Sequence, residues 1–390
     1  MRIPLSAPEL SGNERRYVEE CLASGWVSSA GAFVERFEGL AAAAVGRRYG
    51  VAVMNGTSAL HLALLVAGVA AGDEVVTSAL SFVAPANAIR YVGARPLFVD
   101  AEPESWQLDV ARLEEHIEQH FERREGGWFR RTSGRRLAAL LPVDILGMAA
   151  DWQRLTSLAA KYELPLIEDA SESLGAWDRG APVGSFGLCA CLSFNGNKLV
   201  TCGGGGMLVS DDEELARRAR HLSTTAKVDP IEYRHDEVGY NYRLTNLQAA
   251  LGCAQIERLE ELVARKRAIA SRYRAALADL PGLESMPQRD GVESSCWLFT
   301  ITVDVDAFGC DSRALLRALA RAGIESRPLW QPLHASDAHR DSDSVGGSVA
   351  ADLYARALCL PSSVGLTTAE QDEVIDAIRQ THERCGVTRR

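Results

Sequence analysis

The chain lacks the features that would place it in a membrane, outside the cell or on nucleic acid. No uninterrupted run of about 18 apolar residues occurs among its 390 residues, so we expect no membrane-spanning helix. The opening residues, Met1 to Ser6, contain no apolar run of the kind that a signal peptide needs, so we expect a cytoplasmic protein. Basic residues are outnumbered 42 to 52 by acidic ones, and the net charge of −10 argues against nonspecific binding to nucleic acid.

Cysteine also lacks the spacing of a disulfide framework or a metal site. Nine cysteines are an odd number in a chain of this length, which is typical of reduced cytosolic thiols. Cys189, Cys191 and Cys202 lie close together in the sequence, but they do not form a CxxC pair. We interpret them as small buried hydrophobic side chains and expect no bound metal.

What the sequence does contain is a regular alternation of short apolar runs and amphipathic runs between residues 49 and 168. This order predicts an α/β fold with a mostly parallel sheet covered on both faces by helices. Ligands of such folds bind beyond the carboxyl ends of the strands. A long helical pattern then runs from Leu244 to Pro281, and the last third predicts a smaller α+β lobe. We therefore expect a large domain over residues 1–250 and a small C-terminal domain over 251–390.

An arginine-rich segment, residues 121–136, interrupts this alternation. It contains six arginines and three glycines. Such a segment is typical of a solvated surface insertion, and the alternative is a contact with an anionic substrate tail or a partner subunit.

Two residues at predicted strand ends indicate a cofactor. Asp169 ends the run Leu164 to Asp169, and Lys198 follows the apolar run that ends at Phe194. A pyridoxal 5′-phosphate enzyme needs such a pair, because the lysine amine forms a Schiff base with the cofactor aldehyde and the carboxylate keeps the pyridine nitrogen protonated. Taken alone, the aspartate is equally consistent with a helix cap and the lysine with a surface position.

Further segments supply candidate cofactor contacts. Residues 55–59 lie between a predicted strand and a helix, where backbone N–H groups and the hydroxyls of Thr57 and Ser58 would cradle a phosphate. The alternative there is simple N-capping by either hydroxyl. Phe82 follows the strand over residues 74–78 and would stack on a planar cofactor or pack in the core. Glu172 is either a further site residue or a surface charge.

Two later segments are candidates for substrate or phosphate contacts. Residues 239–243 precede the long helix, and their amide and guanidinium groups would bind phosphates or simply form a polar surface. Residues 327–334 are stiffened by two prolines and offer groups for sugar stacking and hydrogen bonding, or form a packed interdomain loop.

In this order, these segments resemble the DegT/DnrJ/EryC1/StrS family of sugar aminotransferases. The resemblance runs from Ile3-Pro4-Leu5-Ser6 through Gly25-Trp26-Val27-Ser28-Ser29 to Leu360-Pro361-Ser362-Ser363. The opening and the run from Ser193 to Lys198 are most similar to the LegC/PglE-type branch. Members of that branch aminate C4 of a nucleotide-linked 4-keto-6-deoxy-N-acetylhexosamine, typically the UDP sugar, for surface glycan or nonulosonic-acid synthesis.

The resemblance implies an aspartate aminotransferase-like fold of type I, bound pyridoxal 5′-phosphate, and a homodimer with active sites at the subunit interface. It implies that Lys198 is the Schiff-base lysine and general acid/base, that Asp169 pairs with the pyridine nitrogen, and that Phe82 stacks on the ring. Phosphate contacts are implied for Gly56, Thr57, Ser58, Ser193 and the partner subunit's Asn241. Substrate contacts are implied for Arg243, Trp330 and His334.

The chain departs from the family pattern at two positions. Glu172 stands where the family often has Gln near the phenolic oxygen of the cofactor, and Asp144 stands where it often has His. An extra carboxylate at either position would alter local protonation.

The reaction that the resemblance implies is a two-step exchange in which L-glutamate gives its amino group and the keto sugar receives it. A related dehydratase branch replaces the lysine by His, whereas this chain retains Lys198. A non-catalytic homologue would not need the lysine, the aspartate and the phosphate cradle together. A GDP-linked sugar of the perosamine type and a 3-keto sugar are the alternative substrates.

Overall fold

The structure is a computed structural model, and it describes residues 1–229 and 231–388. The α-helices are α1 (Glu14–Ser24), α2 (Ala32–Ala44), α3 (Gly56–Val66), α4 (Ala84–Tyr91), α5 (Val110–His120), α6 (Trp152–Tyr162), α7 (Glu213–Ser223), α8 (Asn246–Ile256), α9 (Leu259–Leu277), α10 (Val305–Phe308), α11 (Ser312–Arg321), α12 (Ser348–Arg356) and α13 (Thr368–Thr388). The strands are β1 (Tyr49–Val53), β2 (Glu74–Ser78), β3 (Arg95–Val99), β4 (Phe121–Arg124), β5 (Gly127–Arg130), β6 (Arg136–Leu141), β7 (Ile167–Asp169), β8 (Trp177–Asp178), β9 (Ala181–Pro182), β10 (Cys189–Ser193), β11 (Gly206–Ser210), β12 (Lys227–Asp229), β13 (Arg234–His235), β14 (Leu283–Ser285), β15 (Val292–Glu293), β16 (Thr300–Val303), β17 (Arg327–Pro328), β18 (Asp343–Val345) and β19 (Ala357–Cys359). Within this described part, no helix is both long and apolar enough to cross a membrane.

The central sheet is mostly parallel, which confirms the predicted fold class. Its strands lie in the order β1-β11-β10-β7 on one side and β6-β2-β3-β18 on the other. The parallel bridges Leu140–Leu166 and Val143–Asp169 join β6 to β7, so the two sides form one continuous surface. Only β11 runs against its neighbours, β1 and β10. The remaining pairs in this order are parallel.

Both faces of this sheet are covered by helices because its strands are apolar on both sides. Every residue of β2 and β11 is buried. One face packs against α2, α5, α6 and α8, and the other against α3, α4 and α7. Cys189 and Cys191 belong to the second of these apolar layers, whereas Cys202 belongs to the first. The three thiols therefore do not share one site.

A second, antiparallel sheet forms in the C-terminal part of the chain, in the order β14-β16-β19-β17. Helices α9, α11 and α13 cover it, with Tyr273, Leu315 and Ile378 buried in the shared core. Strand β18 comes from the same part of the chain but pairs with β3 of the central sheet. The C-terminal part is thus tied to the central sheet as well as to its own.

The prediction of one long helix after Leu244 is wrong, because the structure contains two helices there. Helix α8 ends at Ile256 and α9 begins at Leu259. The junction residue Glu257 accepts hydrogen bonds from Asn13 Nδ2 at 2.9 Å and from the hydroxyl of Tyr17 at 2.9 Å. These contacts hold the junction against α1, so α8 packs on the central part and α9 is redirected to the second sheet.

The arginine-rich segment folds as the hairpin β4–β5 and extends the sheet beside β6. Arg130 is nearly buried and bonds Glu74 at 2.8 Å, and Arg136 pairs with Asp73 at 2.6 Å. Glu74 opens β2, so the hairpin is fixed at the amino-terminal end of that strand, away from the carboxyl ends where ligands are expected. This placement supports the surface-insertion interpretation.

Candidate active site

The candidate residues gather at one edge of the central sheet because several strands run in the same direction. Strands β7 and β10 are parallel, and β1 runs the same way because β11 is antiparallel to both β1 and β10. Their carboxyl ends therefore lie side by side. Asn55 follows β1, Asp169 ends β7, and Ser193 ends β10 just before the turn that carries Lys198.

Lys198 is held by a tight turn and its amine lies in a largely buried position. Its backbone N–H donates to Asn195 O at 2.9 Å. The side chain is 14% exposed, and its Nζ is 3.6 Å from Glu172 Oε1. The same Nζ lies 3.8 Å from the centre of the Trp297 ring. Burial lowers the pKa of Lys198, while Glu172 and Asp169 oppose that effect. A lysine with a lowered pKa exchanges protons more readily near neutral pH.

Asp169 offers a buried carboxylate close to this lysine. It is 2% exposed, and its Oδ1 accepts a hydrogen bond from Ser171 N at 3.1 Å. Burial raises the pKa of Asp169, and the Ser171 hydrogen bonds and the charge of Lys198 act in the opposite direction. A cationic ring nitrogen beside this carboxylate would stabilise its charged form.

The two carboxylates that depart from the family pattern have different surroundings. Glu172 faces Lys198, and its Oε2 accepts a hydrogen bond from Leu146 N at 2.9 Å, so it is a site residue rather than a surface charge. Asp144 is fully buried and turns to the core, where it accepts hydrogen bonds from Ala150 N at 2.7 Å and Trp152 Nε1 at 3.1 Å. Burial raises the pKa of Asp144 to about 7.

The candidate phosphate cradle lies at the start of α3, where neither Thr57 nor Ser58 is the helix cap. Asn55 is the N-cap, and its Oδ1 accepts from Ser58 N at 2.8 Å and from Ser58 Oγ at 3.0 Å. A Cβ added to Gly56 would lie 3.1 Å from Ser193 Cβ and 3.3 Å from Ser171 Oγ. The bare backbone of Gly56 thus lets two serine hydroxyls approach a helix N-terminus, and this set of donors suits a phosphate.

Phe82 and Asn241 are exposed residues. Phe82 is 54% exposed after β2, which leaves its ring free to stack on a planar group. Asn241 is exposed, and its backbone pairs with Thr224. Thr57 is half-buried in the first turn of α3. All three positions are open to a ligand or a second subunit.

The predicted substrate residues lie in different surroundings. Trp330 lines a cavity of about 280 Å³ that also borders Asn197, Trp297 and Arg327, next to the Lys198 turn. Arg243 is paired with the buried carboxylate of Glu38. The ring of His334 packs against Gly347, where a Cβ would lie 2.6 Å from its Nε2. The structure therefore brings Trp330 near the lysine, whereas Arg243 is held by Glu38, a carboxylate that it shares with Arg220.

Trp297 is a site residue that sequence reasoning missed. The apolar run that contains it is typical of a strand, and nothing in that run distinguishes a ring that contacts Lys198 from one in the core. Its indole N–H donates to Asn197 O at 2.8 Å, and Asn197 is the residue before the lysine. Only the folded chain brings these positions together, because they are about 100 residues apart.

Comparison with known proteins agrees with this geometry. The chain is 39% identical over 385 residues to EpsN of Bacillus subtilis, a pyridoxal phosphate-dependent aminotransferase by name, covering 97% of this chain and 95% of EpsN. It is 37% identical over 382 residues to the GDP-perosamine synthase of Caulobacter vibrioides, covering 97% and 98% of the two chains. The crystal structure of DesV from S. venezuelae, in complex with a ketimine intermediate, is 30% identical with a TM-score of 0.86 over 98% of this chain and 99% of that one.

A family model matches nearly the whole chain. The match covers residues 8–379, which include both sheets and every candidate site residue. The fold is the type I fold of pyridoxal phosphate enzymes, and the cofactor is pyridoxal 5′-phosphate. The chain belongs to the DegT/DnrJ/EryC1/StrS aminotransferase family.

Proposed function

We propose that this sugar aminotransferase moves the amino group of L-glutamate to the 4-keto carbon of a nucleotide-linked 4-keto-6-deoxy sugar. The observation that carries the proposal is the placement of a buried lysine beside Glu172 at the sheet edge where Asp169 and the Gly56 cradle also lie. Together these groups provide an amine, a partner for a ring nitrogen and a phosphate site.

Each of these residues has a distinct task. Bound pyridoxal phosphate supplies an aldehyde for the amino group and a ring that withdraws electrons from the reacting carbon. Lys198 removes a proton at Cα of glutamate and delivers one at C4 of the sugar, because burial lowers its pKa toward neutral pH. Asp169 stabilises positive charge on the ring nitrogen. Glu172 holds the lysine amine when it is protonated.

We also propose a homodimer with shared active sites. Large apolar side chains are exposed, including Met54 at 46% just after β1 and Tyr91 at 58% at the end of α4. Others lie around the hairpin β12–β13, including Tyr233 at 68% and Val238 at 83%. A second subunit would bury such a surface, and the partner subunit's Asn241 would reach the phosphate. We further propose that residues 1–250 form a large domain and residues 251–390 a small one, and that the protein is cytoplasmic.

Two classes of sugar nucleotide are candidates for the acceptor. The resemblance of the Ser193–Lys198 run to the LegC/PglE-type branch supports a UDP-linked 4-keto-6-deoxy-N-acetylhexosamine. The identity of 37% to a GDP-perosamine synthase over nearly the full chain supports a GDP-linked keto sugar instead. Both classes require the same residues around Lys198, so they differ in the nucleotide and the substituent at C2 rather than in the chemistry.

The decisive experiment is a panel of UDP-, GDP- and dTDP-linked keto sugars with L-glutamate, with products identified by mass. We expect amination of one 4-keto sugar and formation of 2-oxoglutarate. Lys198→Ala should abolish turnover and the visible absorbance of lysine-bound cofactor. Lys161→Ala is the control, because Lys161 is exposed and pairs with Glu114 and Glu118. Release of an unaminated dehydrated sugar, or full turnover by Lys198→Ala, would refute the proposal.

A further inference from the structure

A second lysine, Lys266 in α9, is buried without any carboxylate partner among the described residues. It is 2% exposed. Its Nζ donates to Trp297 O at 2.9 Å and also to Ser362 O. Burial lowers the pKa of Lys266 to about 7. A buried amine that bonds only carbonyl groups is costly, so its position calls for an explanation.

Lys266 binds the backbone carbonyl of Trp297, and the ring of the same Trp297 contacts Lys198. Trp297 lies in an irregular segment before β16, outside the ladder of the second sheet. The preceding residue, Cys296, has a φ of 53°, so the backbone turns sharply there. The stretch is held on either side of Trp297, where Ser295 N donates to Gly147 O at 2.9 Å and Leu360 N donates to Phe299 O at 2.9 Å. The hydrogen bond from Lys266 holds the carbonyl of Trp297 itself.

Trp297 is thus held at two points while its ring faces the lysine amine. Lys266 fixes its carbonyl, and Asn197 O accepts from its indole N–H at 2.8 Å. The ring centre is 3.8 Å from Lys198 Nζ, within the range of a cation–π contact. The ring and Glu172 contact the same amine.

We propose that Lys266 is a positioning residue: it fixes Trp297 so that the tryptophan ring makes a cation–π contact with the amine of Lys198. In its proposed role the free amine of Lys198 must take up a proton and deliver it at a reacting carbon. A ring held in one place keeps the protonated amine within reach of the reacting carbon and disfavours other rotamers. This role of Lys266 and Trp297 rests on the one proposed for Lys198.

The test measures proton binding by Lys198 rather than turnover. The protein is loaded with pyridoxamine phosphate, which leaves the lysine amine uncondensed, and the acetylation of Lys198 by acetic anhydride is followed against pH by peptide mass. Glu172 and Asp169 are the charged groups that act on this amine, and both are kept in every variant. Loss of a cation–π contact weakens proton binding about threefold to thirtyfold, so Trp297→Leu should lower the titration midpoint by about 0.5 to 1.5 pH units.

Lys266→Met should lower the midpoint in the same direction, and the double variant should add little to the larger single effect. Lys266→Arg, which retains a cation and donors, should restore most of the wild-type midpoint. Should Lys266→Met not accumulate as folded protein, Lys266→Gln keeps one donor and carries the same expectation at a smaller size.

Tyr273→Phe is the matched control. Tyr273 is buried on the same helix, and its hydroxyl donates to Pro361 O at 3.0 Å, next to the Ser362 carbonyl that Lys266 binds. This variant should lose thermal stability yet keep the wild-type midpoint, because it does not touch Trp297. A wild-type midpoint in Lys266→Met or in Trp297→Leu, or a shifted one in Tyr273→Phe, would overturn the inference. Retention of cofactor absorbance by Lys198→Ala would instead overturn the proposed function. The two failures are distinguishable, because the acetylation midpoint of Lys198 does not depend on that absorbance.

Discussion

Replacing Gly56 by alanine should weaken cofactor binding without weakening the fold. An added Cβ would meet Ser193 Cβ at 3.1 Å and Ser171 Oγ at 3.3 Å, so the hydroxyls would have to move by a few tenths of an ångström. The backbone tolerates alanine, because Gly56 opens α3 without a left-handed conformation. The methyl group therefore displaces the hydroxyls of Ser193 and Ser171 that line the cradle in which we place the phosphate.

The two effects of this substitution have opposite signs. Alanine is a better helix former than glycine by up to about 1 kcal/mol, so thermal stability should rise slightly or stay unchanged. Filling the cradle should cost the cofactor about tenfold or more in apparent affinity, which is about 1.4 kcal/mol or more. A general destabilisation of the fold would instead lower both the thermal stability and the cofactor affinity.

The assay is a titration of cofactor-stripped protein with pyridoxal phosphate, followed by visible absorbance, beside thermal unfolding of the same samples. Gly39→Ala is the matched control, since Gly39 lies in α2 with nothing within 4 Å of an added Cβ. It should gain helix stability and bind cofactor as the wild type does. Wild-type affinity in Gly56→Ala would refute the assignment of the phosphate to this cradle.

Two further predictions concern buried charge. Arg130→Met should destabilise the fold by up to about 3 kcal/mol, because Glu74 stays buried and retains only its longer pair with Arg135. Arg131→Met, at an exposed pair, should cost less than about 1 kcal/mol. Chemical unfolding measures both losses, and equal losses would contradict this expectation. The pKa of Asp144 is raised to about 7 by burial and that of Glu168 is raised as well, so the folded state holds a proton that the unfolded chain releases. The free energy of unfolding should therefore fall as pH rises toward about 7, and Asp144→Asn should flatten this slope; equal slopes in the two proteins would count against it.

Local patterns in the sequence were sufficient to predict the central sheet. Strand β2 covers the predicted residues, Glu74–Ser78, because it is a short apolar run that follows turn residues. Lys198 and Asp169 indicated a pyridoxal phosphate site because both lie at or just after strand ends, and the family resemblance decided between that site and a helix cap with a surface lysine. The carboxyl ends of parallel strands then necessarily meet at one edge.

Contacts between segments far apart in the sequence could not be predicted from local sequence patterns. The break between α8 and α9 depends on Asn13 and Tyr17, more than 200 residues before Glu257, so the apolar repeat through the break looked continuous. The same holds for Arg243, whose partner Glu38 lies 205 residues earlier. A guanidinium near a phosphate motif and one paired to a distant carboxylate have the same local sequence.

The two departures from the family pattern have unrelated consequences, although both add a carboxylate. Glu172 lies 3.6 Å from the Lys198 amine, so its charge favours the protonated lysine and acts directly on proton transfer. Asp144 is directed at Ala150 N and Trp152 Nε1, and its ionisation is governed by burial near Glu168. Removing the charge of Glu172 should therefore change the pH dependence of the reaction. Removing that of Asp144 should leave this pH dependence unchanged, because its carboxylate faces the core and not the amine.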